Sequence, residues 1–534
     1  MTLNRVVSQS RVRSLLFAGI IGALATGCTT YQQQNKVILY WQQGSLTNAV
    51  AEATKMADQN AKNKDAIIWR LEQGAALRAN GQYEDSNKAF DKAQEKIDQY
   101  AQAAKVKLGH EAGALMSNQA NLDYEGRAYD GIMLNTYRAL NFLALGEIDK
   151  ARPELIRAYQ RQQDAVEDNK KRIEAAQAQA TNTISSTTTT ATADTNTTTT
   201  AATDTTAPPA SGSRFAKKRA KSSGSAGSIF GANTTTVTTT TTTTNSAAAV
   251  QQAQNDPKFQ AQYQAAYTNL NNLKPYANYV NPFTVYLDGL YFMANAADAS
   301  DLERAHKSLE RVVGFDPDNN YVKQDLATVN NLINGKPLSP TTYIIFETGC
   351  APVRDQIRID IPIILLKVSY VGAAFPTLKP QGNYVPSLTV TGNGTTATTA
   401  LVASMDSVIG LDFKNELPII IAKTIAATVT KAVAAYAVNQ AASQQSWEAG
   451  LVSQIGTAIY QAAVNIADTR TWTTLPKEFQ VCRIPTPPDR KVDLATADGL
   501  QKTSVTISAG TINIVYVKSI NPVTPLLVTQ IKLK

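Results

Sequence analysis

The chain has 534 residues, 43% apolar and 18% charged, so it can bury a large core and is globular rather than disordered as a whole. Its formal net charge of +8 is mild for this length and argues against a nucleic-acid-binding surface. Two histidines and three cysteines are too few, and too poorly spaced, to predict a histidine triad, a metal site or a cofactor site.

The N-terminus has the form of a secretory signal peptide, which we assign to residues 1–27. Residues 1–14 carry three arginines and no acidic residue, and residues 15–25 form an apolar run of 11 residues. This run is too short to span a hydrocarbon layer, which needs about 20 residues. Removal of the segment would lower the net charge from +8 to +5.

The segment LATGC at 24–28 resembles a bacterial lipobox, although its leucine stands one position further from Cys28 than is usual. The resemblance implies cleavage before Cys28 and lipidation of its thiol, which would anchor the chain to membrane lipid. Thr29, rather than Asp, follows the cysteine, and by resemblance to sorted lipoproteins this favours the outer membrane, on its periplasmic side.

One spacing of small and apolar residues recurs along the first half of the chain. Positions 0, 2, 5, 9 and 12 match when counted from Gly44, Gly81, Gly146 and, more weakly, Ser300. The glycine predicts the end of a first helix, and positions 5, 9 and 12 predict one buried face of a second helix. The pattern resembles tetratricopeptide repeats and predicts all-α helical repeats at 28–177 and 249–340. The resemblance implies a groove that binds a protein or peptide.

Between these two regions, residues 178–248 are dominated by Thr, Ala and Ser. This composition predicts a disordered insertion that loops out between two long helices. A basic cluster lies inside it, and its contact with an anionic polymer is one interpretation, while a solvated cluster that keeps the insertion soluble is the favoured one. The cluster consists of Arg214, Lys217, Lys218, Arg219 and Lys221.

Residues 341–534 predict an α+β domain. Strands are expected at 343–346, 357–361, 388–390 and 479–482, with a hairpin formed by 505–507 and 512–517. Helices are expected at 418–445 and 447–467, which would cover one antiparallel sheet. The apolar run at 418–438 contains Lys423 and Lys431, each costing about 2.5–3.5 kcal/mol at a bilayer centre. A buried helix is therefore favoured over a membrane-inserting or membrane-spanning one.

Four segments carry a family resemblance: YEGRAYDGIMLNTYRAL at 124–140, FETGCAPVR at 346–354, IRIDIP at 357–362 and ADTRTWTTLP at 467–476. They resemble uncharacterised bacterial outer-membrane lipoproteins with tetratricopeptide-like repeats. The resemblance covers most of the chain outside the Thr-rich insertion, which is a departure from that group. It implies an envelope lipoprotein and no established activity.

Chemistry in the C-terminal domain has two interpretations. Glu347, with Asp355 and Asp360 nearby, could serve as the acid of a hydrolase acting on wall sugars. The favoured interpretation is a structural ion pair, for which Glu347 and Arg470 are the candidates, because a charge among apolar strand residues needs a partner.

Cys350 and Cys482 form a candidate disulfide in an oxidising compartment, and two separate thiols are the alternative.

The sequence therefore favours a membrane-anchored periplasmic lipoprotein that acts as a protein- or peptide-binding scaffold in envelope or cell-wall assembly. No catalytic residue, metal or cofactor is predicted, and no nucleic acid is expected as a partner. One alternative is a carboxylate-dependent enzyme acting on cell-wall polymer. Another is a membrane-inserting or pore-associated component built around the Ala- and Ile-rich helix at 418–445.

Overall fold

The computed structural model describes residues 29–106, 120, 122–180, 183–193, 235–362, 370–445 and 466–534. The predicted signal peptide, Cys28, the basic cluster at 214–221 and most of the predicted helix at 447–467 lie outside these residues. Within them helices predominate up to residue 333, interrupted by one pair of strands at 183–193 and 235–245, and sheets and one long helix follow. The helices before the sheets are α1 (Thr29–Gln42), α2 (Leu46–Gln59), α3 (Ala66–Ala79), α4 (Tyr83–Val106), α5 (Ala128–Ala144), α6 (Ile148–Ala180), α7 (Ser246–Asn255), α8 (Pro257–Tyr267), α9 (Pro282–Asn295), α10 (Ala299–Phe315) and α11 (Asn320–Ile333).

Four helix pairs, α1–α2, α3–α4, α5–α6 and α9–α10, are each joined by three residues. Gly44, Gly81 and Gly146 adopt φ values of +69°, +77° and +76°, as the sequence predicts for helix ends. The Gly81 N–H donates to the Arg78 carbonyl, and the next N–H donates to the Leu77 carbonyl, which satisfies two free carbonyls at the helix end. The predicted helix ends at these three glycines are therefore confirmed.

The fourth copy of the spacing ends differently. Helix α9 stops at Asn295, and Asp298 caps the next helix by accepting hydrogen bonds from the N–H groups of Ser300 and Asp301. Ser300 thus lies in the first turn of α10 rather than at the end of α9.

The predicted buried faces of the second helices are present in all four pairs. Each residue at positions 5, 9 and 12 has at most 2% of its surface exposed: Ala49, Ala53, Met56, Ser86, Phe90, Ala93, Ala151, Leu155, Ala158, Ala305, Leu309 and Val312. Membership of the tetratricopeptide family stays a prediction, because a shared spacing and shared burial do not identify a family.

The helices form two layers. Helices α3, α5 and α9, the first members of their pairs, are buried on nearly every face. Their partners α4, α6 and α10 bury one face and expose the other. The first helices therefore form an inner layer between their partners and the sheets; for example, Phe283 of α9 stacks on Phe479 of the central sheet with ring centroids 3.8 Å apart.

The segment 178–248, which was predicted to be disordered, has regular elements at both of its ends. Helix α6 continues to Ala180, and β1 (Thr183–Ala193) pairs antiparallel with β2 (Thr235–Asn245). Threonine is β-branched and favours extended backbone, so Thr tracts can pair as strands although they bury little apolar surface. Residues 194–234 lie outside the described part of the chain.

The C-terminal half contains three sheets. The central sheet has five strands in the order β13-β12-β3-β9-β8, and the second has four in the order β11-β10-β6-β7. Strands β4 and β5 form a two-stranded ribbon. The strands of these three sheets are β3 (Thr341–Thr348), β4 (Val353–Pro362), β5 (Tyr370–Lys379), β6 (Leu388–Gly392), β7 (Thr395–Thr398), β8 (Ala400–Ser404), β9 (Glu478–Pro485), β10 (Lys491–Thr496), β11 (Lys502–Thr506), β12 (Ile512–Ser519) and β13 (Leu527–Lys532).

The prediction of one antiparallel sheet is wrong, because β12 runs parallel to β3 and the strands divide among separate sheets. The predicted hairpin of 505–507 and 512–517 is also wrong. Residues 505–506 belong to β11, which pairs with β10, whereas residues 512–517 belong to β12 in the central sheet. The turn at residues 509–510 therefore connects strands of two different sheets, not two strands that pair with each other.

Strand β3 explains why the two sheets lie face to face. Successive side chains of a strand point to opposite faces. Tyr343 and Ile345 join the core that continues into the helices, whereas Ile344 and Phe346 join a second core shared with β6, β10 and β11. The central sheet is therefore buried on both faces, which accounts for the uninterrupted apolar run of β3.

The predicted helix at 418–445 is the last part of a longer helix, α12 (Met405–Gln445). Met405, Ile409, Phe413 and Ile425 are fully buried, so this helix belongs to the core over its described side chains. Among the described residues, none of the helices combines the length and the apolar character that crossing a membrane requires.

We predict that Gly74→Ala destabilises the protein by about 1–3 kcal/mol, the usual effect of overfilling a packed core. A Cβ at Gly74 would lie 2.4 Å from the Phe90 ring, where α3 meets α4. Urea unfolding would measure the change. The matched control is Gly314→Ala on α10, where a Cβ meets nothing within 4 Å. Equal stability of the two variants would contradict the close approach of α3 and α4.

Candidate functional site

Glu347 lies at the boundary between the inner helices and the central sheet, where it is 1% exposed. Tyr137 of α5 donates to its carboxylate at 2.8 Å, and Tyr516 and Lys518 of β12 also bond to it. Burial opposes ionisation of Glu347, but the charges of Lys518 and Arg78 outweigh it, so its pKa is lowered. The carboxylate is therefore a buried anion whose partners belong to its own chain.

The predicted ion pair between Glu347 and Arg470 is wrong. Arg470 instead pairs with Asp468 at 2.8 Å and with Asp65 at 3.1 Å. It also donates to the Leu122 carbonyl at 2.8 Å. Both residues do connect the two halves of the chain, but through separate clusters: Arg470 reaches Asp65, 405 positions away, and Glu347 reaches Tyr137, 210 positions away.

Segment 467–476, which we call the docking segment, crosses the inner helices. Trp472 is fully buried and contacts the rings of Phe90 and Tyr137 edge-on, each with centroids 5.8 Å away. Glu72 of α3 accepts hydrogen bonds from the Thr473 N–H, the Thr473 hydroxyl and the Thr474 hydroxyl at 2.6–2.7 Å. The inner helices thus hold a segment of the protein's own chain.

A third buried cluster joins α5, β4 and α12. Glu416 accepts hydrogen bonds from Arg127 and Arg354, both at 2.9 Å. One turn earlier on α12, burial and the charge of Glu416 raise the pKa of Asp412 to about 8.

The candidate disulfide is absent, because Cys350 and Cys482 are both free thiols. Cys482 belongs to the core between the two sheets. Cys350 follows β3 on the opposite side, near the charges of Lys518 and Glu347. Burial raises the pKa of both thiols, that of Cys482 to about 11, so neither is activated as a nucleophile.

These contacts weigh against the enzyme alternative. A cavity beside Glu347 measures about 30 Å³, room for roughly one water molecule and too little for a sugar ring. Asp360 is paired with Lys258 at 2.9 Å, on a different element from Glu347. Glu347, the candidate acid of the enzyme hypothesis, is therefore enclosed and a polymer cannot reach it.

An open groove lies on the outer layer of helices, between α6 and α10 with α9 beneath, and measures about 450 Å³. This is within the usual range of roughly 300–1,000 Å³ for ligand pockets. It is lined by Arg152, Ile156, Tyr159, Val285, Phe292, Ser300, Asp301, Glu303, Arg304, Lys307, Ser308 and Arg311. We call it the α6–α10 groove.

Two arginines of the groove are held in place from below. Arg152 makes a bidentate contact with the buried Asp301 at 2.6 and 2.9 Å. Arg304 makes another with the buried Asp288, at 2.7–3.2 Å. Both guanidinium groups lie over the Phe292 ring, 4.8 and 4.5 Å from its centroid. The groove is thus pre-organised, with fixed arginines around an aromatic floor.

Sequence reasoning did not identify this groove. It predicted a binding groove on the helices but gave no reason to select the outer layer. The available signal was the spacing of Arg304, Lys307 and Arg311 on one face of α10.

A scan against protein-family models, a search of curated proteins and a search of solved structures each found no match. The resemblance to outer-membrane lipoproteins therefore stays a prediction from the quoted segments.

We predict that, between pH 5 and pH 8, the free energy of unfolding falls by about 2 kcal/mol less in Glu72→Gln than in the parent protein. Burial raises the pKa of Glu72 from 4.5 to about 7, despite the hydrogen bonds from Thr473 and Thr474. The folded state therefore keeps a proton that the unfolded chain releases above pH 4.5, so this carboxyl weakens folding as the pH rises from 4.5 to 7.

Urea unfolding of the parent and variant at both pH values would measure this effect. The control is Glu310→Gln, at an exposed position on α10, which should leave the pH dependence unchanged. If Glu72→Gln retained the full pH dependence of the parent, the buried Glu72 carboxyl would be ruled out as the source of that pH dependence.

Proposed function

We propose that the protein is an envelope lipoprotein, anchored through Cys28 at the outer membrane on its periplasmic side, that binds a protein or peptide partner in the α6–α10 groove. Envelope or cell-wall assembly is the proposed setting. The signal-like N-terminus and the LATGC segment support the anchor. The four quoted segments support the family through their resemblance to outer-membrane lipoproteins.

The observation that carries the binding proposal is the groove itself. The inner helices are occupied by the docking segment and the central sheet, so they offer no open face to a peptide. The α6–α10 groove combines a volume of about 450 Å³ with an aromatic floor and fixed arginines. Aromatic and arginine side chains are the residues that contribute most to protein–protein binding energy.

We predict that Cys28→Ala moves the protein from the detergent phase to the aqueous phase in detergent partitioning of whole cells. Loss of the thiol removes the site of the acyl chains, and no other anchor is proposed. Cys350→Ala is the matched control and should stay in the detergent phase. Aqueous partitioning of the parent protein, or detergent partitioning of Cys28→Ala, would refute the lipid anchor.

We predict that a photoreactive phenylalanine analogue at Ile156 crosslinks to a discrete protein in intact cells. Ile156 lines the groove and is 41% exposed. Ser300→Trp, at an exposed position in the groove, should fill it and abolish the adduct. Denaturing electrophoresis and mass spectrometry would identify the adduct.

Two controls locate the contact. The same analogue at Leu500, in the turn between β10 and β11, should not give this adduct. Thr395→Trp, which adds the same bulk at an exposed strand, should leave the adduct at 156 intact. An adduct that survives Ser300→Trp, or that forms equally from both probe positions, would exclude the groove as the binding site.

A further inference from the structure

We propose that the α6–α10 groove recognises an acidic peptide segment of its partner, in extended conformation, through a row of cations on α10. This inference rests on the proposed function and adds the chemical class of the ligand. It depends on four properties of the groove: the spacing of its cations, their availability, its charge balance, and its apolar surface.

The cations form a row along one face of α10. Arg304, Lys307 and Arg311 follow one another at intervals of three and four residues, which places them on neighbouring turns of the same face. Seven residues of helix extend about 10 Å, and an extended peptide covers this length with roughly three residues. Carboxylates on alternate residues of such a peptide would lie about 7 Å apart, close to the spacing of the cations.

The cations differ in their availability. Arg152 and Arg304 are bound to Asp301 and Asp288, so they shape the walls. Lys307 is 71% exposed, and its ion pair within the described residues is with the exposed Glu303, at 3.1 Å, a contact of little strength in water. For Arg311 the described part of the chain supplies no ion pair, and its guanidinium lies 5.8 Å from the centroid of the Phe315 ring. Lys307 and Arg311 are therefore the groups that a ligand can engage.

The charge balance of the groove favours an anion. Its lining has four cationic side chains against two acidic ones, and the buried Asp288 beneath Arg304 brings the balance to +1. The chain's own insertion carries a basic cluster, which would be repelled from this surface. A partner segment rich in Asp or Glu has the complementary charge.

The floor selects a peptide over a simple anion. Ile156 and Tyr159 present apolar surface along the groove. Phe292 lies beneath them, 1% exposed and covered by the two bound arginines. A phosphate or sulfate ion would use the cations alone, whereas a peptide can also cover this apolar surface with its backbone and side-chain stems. The combination of a cationic row and an apolar floor is therefore best matched by an acidic peptide.

The test uses the purified full chain in detergent micelles and fluorescein-labelled hexaglutamate, with binding followed by fluorescence anisotropy. Hexaglutamate should bind with a salt-dependent affinity, and hexaglutamine should not bind. The double variant Lys307→Glu/Arg311→Glu should raise the Kd about ten-fold, because two attractive contacts become repulsive.

The matched control is Lys491→Glu/Lys502→Glu, which changes the net charge equally at exposed positions of the second sheet. It should change the Kd less than two-fold. Equal weakening by both double variants, equal binding of hexaglutamine, or displacement of hexaglutamate by phosphatidylglycerol added to the micelles would overturn the proposal. The thermal midpoint of each variant would show that it is folded.

The outcomes separate this inference from the function on which it rests. If hexaglutamate fails to bind while the adduct at 156 still forms, the acidic class is wrong and the scaffold proposal stands. If hexaglutamate binds as predicted but no adduct forms in cells, the proposed protein partner is wrong.

Discussion

The burial of the Glu347 carboxylate is the constraint on which the arrangement of the two halves depends. A buried carboxylate is tolerated only when it is paired and hydrogen-bonded, and its partners come from β12 and from α5. Separating the helices from the central sheet would remove the Tyr137 hydroxyl and the nearby Arg78 charge. The helices and sheets therefore share one continuous apolar core and are not independent modules.

This shared core determines where a partner can bind. The sequence predicts a groove on the helices, but the inner helices use their polar and aromatic groups to hold the docking segment. Glu72 illustrates this, because its carboxyl accepts three hydrogen bonds from Thr473 and Thr474. Within these pairs the outer helices α4, α6 and α10 keep an exposed face, and the α6–α10 groove lies there. The binding proposal thus follows from the way the protein satisfies its own buried polar groups.

The parts of the fold that the sequence predicts are those set by local spacing. Helix ends at Gly44, Gly81 and Gly146 and the buried faces of the second helices need only a positive φ and a helical period. Strand pairing and buried ion pairs depend on distant residues: Tyr137 and Glu347 are 210 positions apart. Local patterns carry no information on such partners, so the Glu347 ion pair and the single antiparallel sheet were predicted wrongly.

The segments that carry the family resemblance also bear on where specificity lies. Residues 124–140, 346–354 and 467–476 meet at the boundary between helices and sheets, through Arg127, Glu347, Arg354 and Trp472. Tyr137 joins Glu347 and Trp472, and Arg127 and Arg354 share Glu416 of α12, which assigns these segments a structural role. None of the groove residues falls within them. A protein could therefore keep this boundary, and with it the fold, while its groove changes to suit another partner.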